Sequence, residues 1–501
     1  MLQTLHPGIF FDESVADDGA NVKVSTQVAV NYGQQSISNA PTNIGAFVGT
    51  APRGRVGEPV LITSWTDYVN EFGGFDVNSY LAYAVKGFFE NGGTKCYVVR
   101  TVKYNAGVKS SEIASLLVKD VTGTLDSLQV KAKNDGVWGN NISVAIDDVD
   151  ETENTFTLKV YYKGVLAEQF VKAKLDTIEE EAKASKLVSI SVLGTEIPKA
   201  IDTTALSGGQ DGISGISDSD YLGDEAVGNG LHALDNVKFN LVAIPAMTSQ
   251  AIHQGLLNYT SLRKGTFAIL DAPMDMTAGQ VATYVTTTAS LVGDFGAIYY
   301  PYVVVSDPIG VGKNPTKKVA PSGHIMGVIA RQDATNGVWR APAGIDCQVY
   351  GVIDLDHNVS DPEQDILNPV NVNCLRKFDG VGIVAWGART LSANNVFRYI
   401  PARRTVTFIE DSLEANMKWT NFKPNNETLW SMIHTNVENF LNGIWVNGGL
   451  KGDSPEKAYY VKCDGEINTP DVVDAGKTYC DIGLALNRPN EFTIFRLSLR
   501  S

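Results

Sequence analysis

Val22, Val24, Thr26, Val28 and Val30 take every second position of NVKVSTQVAVNY. Alternation of that period predicts a strand with one face to be covered. No hairpin turn lies near it, so its partner must come from elsewhere. From 44 to 102 the order is strand, loop, helix, strand. IGAFVGTAP is apolar and runs into a Gly/Pro turn, and KCYVVRTV is β-rich. Between them SYLAYAVKGFFENGG puts Leu81, Val85, Phe88 and Phe89 on a helical stripe, with Ser79 as N-cap and Gly92 and Gly93 as the stop. That order implies an α/β layer architecture.

Between about 104 and 205 the texture changes to short alternating runs separated by Asn, Asp and Gly turns, with only KLDTIEEEAKASKLV helical in pattern. This predicts a β-rich insertion. Beyond SGGQDG at 207–212 the strands FNLVAIPA, TFAILDAP and AIYYPYVVVSD alternate with helices around 250–263 and 278–293, which predicts parallel βαβ units. A last section begins near 386. Phe408, Ile409, Leu413 and Met417 lie at helical spacing, as do Leu429, Ile433, Val437, Phe440, Leu441 and Ile444, before Gly448 and Gly449. AYYVKCDG, TYCDIGLAL and EFTIFRLSLR then read as strands.

Composition narrows the class. At roughly 100–200 residues per domain, the 501 residues suggest about three domains. Hydrophobic residues at 44% and charged residues at 19% are those of a folded chain. A formal charge of −15 disfavours nucleic acid and anionic lipid as partners. Cys96, Cys347, Cys374, Cys463 and Cys480 show no C-x-x-C spacing, and their odd number fits a reduced, cytoplasmic origin. The start MLQTLHPGIFFDES lacks an export signal's basic and apolar regions, and no stretch nears the roughly 18 apolar residues of a membrane span. Neither classical export nor membrane insertion is expected.

Chemistry-bearing motifs are missing. The histidines at 6, 232, 253, 324, 357 and 434 have no metal-ligand spacing. GVGKNPTKK around Lys313 has Asn314 where a phosphate loop needs Ser or Thr, and it lacks the leading glycine. No G-x-S-x-G elbow or G-x-G-x-x-G fingerprint occurs. The pairs Asp147/Asp148 and Asp354/Asp356 sit in sequences like solvated turns. No metal, cofactor or catalytic residue is expected.

Several segments together resemble the contractile tail sheath family: PGIFFDE at 7–13, IGAFVGTAPRGRVGEPVLITSWTDYVNEFGG at 44–74, SYLAYAVKGFFENGGTKCYVVR at 79–100, NDGVWGNNISV at 134–144, LSGGQDG at 206–212, APSGHIMGVIARQDATNGVWRAPAG at 320–344 and WGARTL at 386–391. RRTVTFIEDSL, ENFLNGIWVNGGLKG, VKCDGEINTPDVVDAGKTYCDIGLAL and RPNEFTIFR continue the match to the end of the chain. Phage tails, tailocins and extracellular contractile injection systems all use such sheaths.

The resemblance implies a multidomain α/β fold: an N-terminal arm at 1–35, a subtilisin-like α/β domain from 36–103 and 206–385, a β-rich peripheral insertion at 104–205, an α+β domain at 386–488 facing an inner tube, and a strand arm at 489–501. It implies no enzyme, since the Asp, His and Ser motifs of a subtilase are missing and His324 in PSGHIMG suits packing better than catalysis. A subtilisin-like hydrolase and a surface-binding module are the alternatives. The implied partners are other copies in hexameric rings, the inner tube, and baseplate and terminator proteins. Assembly would take place in a bacterial host's cytoplasm and the product would be a particle tail.

By the same resemblance, residues 15–30 and 489–500 add as strands to neighbouring subunits, through Val22, Val24, Thr26, Val28 and Val30 and through Phe492, Ile494, Phe495 and Leu497. Gly33 and Gly483 are candidate hinges. Glu410, Asp411, Glu414, Lys418, Glu427 and Glu438 are candidate tube-facing charges.

Overall fold

The computed structural model describes residues 8–11, 36–263 and 265–493. Its centre is an eight-stranded sheet in the order Pro59–Ile62, Cys96–Arg100, Gly45–Gly49, Leu241–Ala243, Phe267–Asp271, Gly296–Tyr300, Val372–Phe378, Gly382–Ala385. The inner strands run parallel, and the two edge strands lie antiparallel to their neighbours. Parallel sheets need cover on both faces. GAFVG, FAILD and GAIYY are accordingly buried at every position. Phe47 enters the core on one face while Ala46 and Val48 enter the core on the other.

On the Phe47 face, helix Leu81–Glu90 packs against helix Ser322–Asn336. Glycines set how closely they approach. A Cβ at Gly323 would stand 2.2 Å from the Ala84 carbonyl oxygen, one at Gly327 2.5 Å from that of Phe88, and one at Gly87 2.6 Å from the His324 ring. These contacts explain the small residues of PSGHIMG and AVKGFF. His324 is therefore a packing residue, fully buried against Gly87, and burial lowers its pKa to about 4 so that the ring is neutral. Asp271, at the end of its strand, accepts from the Ser322 amide at 2.8 Å and the Ser322 hydroxyl at 2.7 Å, anchoring the start of the second helix.

The insertion has its own core. A four-stranded sheet (Val165–Ala173, Thr155–Tyr162, Ile142–Asp150, Ile201–Ala205) and a three-stranded sheet (Val188–Val192, Asp126–Ala132, Ser115–Lys119) bury Leu128, Val130, Ile142, Val144, Phe156 and Leu158 between them. Arg100, at the end of a central strand, ties it to the main sheet by donating to the carbonyls of Gly54 and Asp135, both at 2.9 Å.

Two predicted helices are shorter than their patterns. In KLDTIEEEAKASKLV the α-helix is only Ile178–Glu181, followed by a 3-10 turn. There the Ser185 hydroxyl accepts from the amides of Leu187 and Val188 and turns the chain into a strand. The 278–293 helix is regular only over Ala278–Thr283 and ends in a π turn at Tyr284–Thr288. Thr283 and Thr286 bond back to the carbonyls of Gly279 and Ala282, a competition that bends helices. Ser79 is not the N-cap: that position is Tyr80, which makes no side-chain cap bond, and the Ser79 hydroxyl one residue earlier accepts from the Leu81 amide at 3.1 Å and donates to the Thr50 carbonyl at 2.6 Å.

Gly323→Ala should destabilise the chain by about 1–3 kcal/mol, because its Cβ meets backbone that cannot yield without separating the helices. Gly279→Ala, with nothing within 4 Å of its Cβ, should stay within about 0.5 kcal/mol of the parent. Chemical denaturation of both variants checks this, and equal midpoints would refute the close approach.

Candidate functional site

The candidate site lies in the C-terminal region. Helix Ile400–Asn416, helix Glu427–Val446 and an antiparallel ribbon of Tyr459–Lys462 with Asp481–Leu484 share one core. The ribbon's register pairs Tyr459 with Leu484 and Lys462 with Asp481. Tyr459, Val461, Ile482 and Leu484 turn toward the core containing Leu429, Ile433, Val437 and Leu441, while Tyr460 is 44% exposed. The second strand is extended by Ala485, which donates to the Ala458 carbonyl and accepts from the Lys451 amide, both at 2.8 Å. Leu450 bridges Leu486 on that same side. Among the described residues no third strand joins the ribbon, and neither outer edge is paired by them. A two-stranded ribbon is marginal alone, and an open edge is a template for pairing.

Both terminal segments are rooted on the body of the chain. Residues 38 to 42 run antiparallel along helix Ile400–Asn416. Ser38 and Asn416 exchange bonds of 2.9–3.2 Å, and the Ala40 amide donates to the Ser412 hydroxyl at 3.0 Å. Arg404 donates to the Thr42 carbonyl at 2.7 Å and to both carboxylate oxygens of Asp333, at 2.8 and 2.6 Å. Ile9, Phe11 and Ile37 pack on the C-terminal core.

The other root is Glu491. Arg389 of WGARTL donates to it in bidentate fashion, from Nε at 2.9 Å and Nη2 at 2.6 Å, and the Tyr399 hydroxyl adds a bond of 2.9 Å. Burial works to raise the Glu491 pKa, but these donors and the Arg389 charge hold it below the usual carboxylate range. Arg389 is itself fixed, since its amide donates to the Asn373 side chain at 2.7 Å and its Nη1 to the Asn368 carbonyl at 2.7 Å.

The sequence-based candidates divide. Val22, Val24, Thr26, Val28, Val30, Gly33, Ile494, Phe495 and Leu497 lie outside the described residues. Phe492 is 67% exposed, just past the Glu491 clamp. Gly483 is not a hinge: it lies within the ribbon, where a Cβ would stand 2.0 Å from the ring of Tyr460. Glu410 is not a surface charge. It is 9% exposed and sits 3.7 Å from Arg403, whose guanidinium is sandwiched by Phe295 and Phe397. Asp411 is half-buried against Gly265, and burial, with the nearby Glu414, raises its pKa to about 6. The polar face of this helix turns to the central sheet, which is why its charges are covered. Glu414 is half-buried, while Lys418, Glu427 and Glu438 are exposed.

Sequence reasoning missed the Arg404–Asp333 and Arg389–Glu491 pairs. Their partners are 71 and 102 residues apart, and no local pattern joins them. The alternating Ile9 and Phe11 of PGIFFDE were the one local signal for docking of that segment. The acidic pairs are ordinary ion-pair sites: Asp147 meets Lys159 at 2.7 Å, Asp354 meets Lys377 at 3.0 Å and Asp356 meets Lys318 at 2.6 Å.

A covered parallel sheet, a β-rich insertion and a helix-backed two-stranded ribbon define a multidomain α/β protein. Residues 215–391 match the phage tail sheath protein central domain and residues 392–500 the phage tail sheath C-terminal domain, together more than half the chain. The chain belongs to the phage tail sheath family, a family of structural proteins. The tail sheath protein of Enterobacteria phage T4 is 30% identical over 155 residues, 30% of this chain and 23% of that protein, so the match spans less than a quarter of that relative. A putative prophage major tail sheath protein of Pseudomonas aeruginosa is 23% identical over 323 residues, 62% of this chain and 76% of its own. The sheath complex of PVC, an extracellular contractile injection system, in its contracted state covers 99% of this chain and 98% of its own at a TM-score of 0.59 and 22% identity. At that identity the likeness is one of fold.

Arg389→Ala should loosen the chain after residue 487 without unfolding the body. Losing one partner of this pair costs about 1–3 kcal/mol locally, so limited proteolysis within 488–493 should speed up about tenfold while thermal unfolding of the body barely moves. An unchanged cleavage rate would show that Glu491 is held by something else.

Proposed function

We propose that this chain is the repeating subunit of a contractile sheath, polymerising as stacked hexameric rings around an inner tube and shortening to drive that tube through a target cell envelope. The observation that carries this reading is a ribbon whose outer edges no described residue pairs, in a chain whose two terminal segments are both anchored on the body. Strand addition satisfies an open edge by main-chain hydrogen bonds. Residues 15–30 and the segment beyond the Glu491 clamp, within the 489–500 of the sequence-based expectation, are the strands that would be donated to neighbouring copies. A head-to-tail contact of this kind, when it does not close, builds a helix.

On this account the region 386–488 faces the tube, the insertion at 104–205 points outward, and the central sheet has a subtilisin-like architecture without its chemistry. Lys418, Glu427 and Glu438 remain the tube-facing candidates, with Glu414 at the margin and Glu410 and Asp411 withdrawn by their burial. Exposed charges suit a contact that must release, because salt and water screen them. Baseplate and terminator proteins would hold the two ends. The assembled location would be the tail of a phage or injection particle, built in the bacterial host cytoplasm.

Negative-stain electron microscopy of the purified chain and of a variant lacking residues 1–30 tests this. Hollow tubes from the intact chain that disappear with the deletion are expected. Tubes formed equally well by both would refute exchange of the N-terminal arm.

A further inference from the structure

We propose that Cys463 and Cys480 form a disulfide site, two thiols held across the ribbon so that mild oxidation joins them into a staple within the chain. The register from Tyr459–Leu484 to Lys462–Asp481 makes Cys463 and Cys480 the next opposed pair. The bond from the Ala485 amide to the Ala458 carbonyl marks 458 and 485 as a hydrogen-bonded pair. Such pairs alternate along an antiparallel ladder, so 459/484, 461/482 and 463/480 are the non-hydrogen-bonded pairs, where Cα atoms stand about 4.5 Å apart and side chains lie closest. A disulfide accepts Cα separations of roughly 4.4–6.8 Å.

Both cysteines lie on the core-facing side with Tyr459, Val461, Ile482 and Leu484. Cys463 is close enough to Cys480 to help raise its thiol pKa. Both are free. The turn between them is pinned already: Asn468 accepts from the Tyr479 amide at 2.7 Å and donates to the Tyr479 carbonyl at 3.0 Å, and Asn425 donates to the Lys477 carbonyl at 2.6 Å. Cys96, Cys347 and Cys374 sit in the cores of the central sheet, away from this pair.

The oxidant is a low-molecular-weight disulfide. One cysteine thiolate attacks it, forming a mixed disulfide and releasing one small thiol; the second cysteine thiolate then attacks the protein sulfur and expels the other. Two protein thiols thus lose two protons and two electrons, and one small disulfide becomes two small thiols. The hydrogen bond to Cys463 and burial both raise the Cys480 thiol pKa, which keeps the thiolate scarce and the exchange slow. The chain would fold and assemble with thiols and acquire the staple after longer exposure to oxidising surroundings. This inference stands independently of strand exchange.

The test is a non-reducing peptide map by mass spectrometry of the folded full chain after incubation with oxidised glutathione, against a sample kept in reductant. A linked peptide pair containing Cys463 and Cys480, lighter by two hydrogens and absent from the reduced sample, is expected. Unfolding should shift upward by several degrees, a shift lost in Cys480→Ser. Glutathione adducts alone, links to other cysteines, or two free thiols after prolonged incubation would overturn the proposal, and the map of the unaltered chain does not depend on the variant folding.

Discussion

One buried ion pair holds together three parts of the chain that are remote in sequence. Asp333 lies near the end of a helix on the central sheet, Arg404 near the start of the helix that opens the C-terminal region, and Thr42 on the segment leading into the first central strand. The side chains of Arg404 and Asp333 are 6% and 3% exposed. Taking two charges out of water is costly, and only good geometry with further bonds repays it. Here the fork-to-fork contact and the Thr42 carbonyl supply those bonds. The geometry fixes where the N-terminal segment leaves the body and how the C-terminal helices sit against the sheet.

From that fixed junction the assembly logic follows. The N-terminal segment is laid along helix Ile400–Asn416, and the C-terminal segment leaves the ribbon, passes Gly448 and is held at Glu491 by Arg389. Each terminus is therefore anchored at its root, so a donated strand could carry load into the body. The ribbon is the complementary part, with its apolar face packed on the helices and its backbone edges unmet by any described residue. Rigid body, anchored roots and open edges together suit a lattice in which bodies change position while backbone pairing persists.

Legibility from sequence followed the range of the interactions. Apolar strands such as GAFVG and FAILD and the stripe in helix Glu427–Val446 announce themselves by local period, and the parallel sheet follows from their alternation with helices. Helix Ile400–Asn416 misleads in part, because Glu410 and Asp411 look like a solvated face and instead meet Arg403 and the central sheet. Threonine-rich and serine-containing helix ends were read too long because side-chain bonds to the backbone do not show in a hydrophobic pattern. The cysteine pair was hidden as well: without a C-x-x-C spacing, only the register of a ribbon closed by a long turn brings Cys463 to Cys480. Gly483 looked like a hinge and is a space-maker for Tyr460, a distinction that only packing reveals.

In the sheath proposed above, strands of other subunits complete the ribbon edges that no described residue pairs. Amide hydrogen exchange at single-residue resolution, compared between dispersed subunit and assembled polymer, tests it most directly. By the alternation of the ladder, Val461 and Ile482 point their amides outward, whereas Tyr460 and Gly483 point theirs across the ribbon. Val461 and Ile482 should exchange quickly in the subunit and become strongly protected in the polymer, with Tyr460 and Gly483 protected in both. Equal exchange at Val461 and Ile482 in the two states would contradict it.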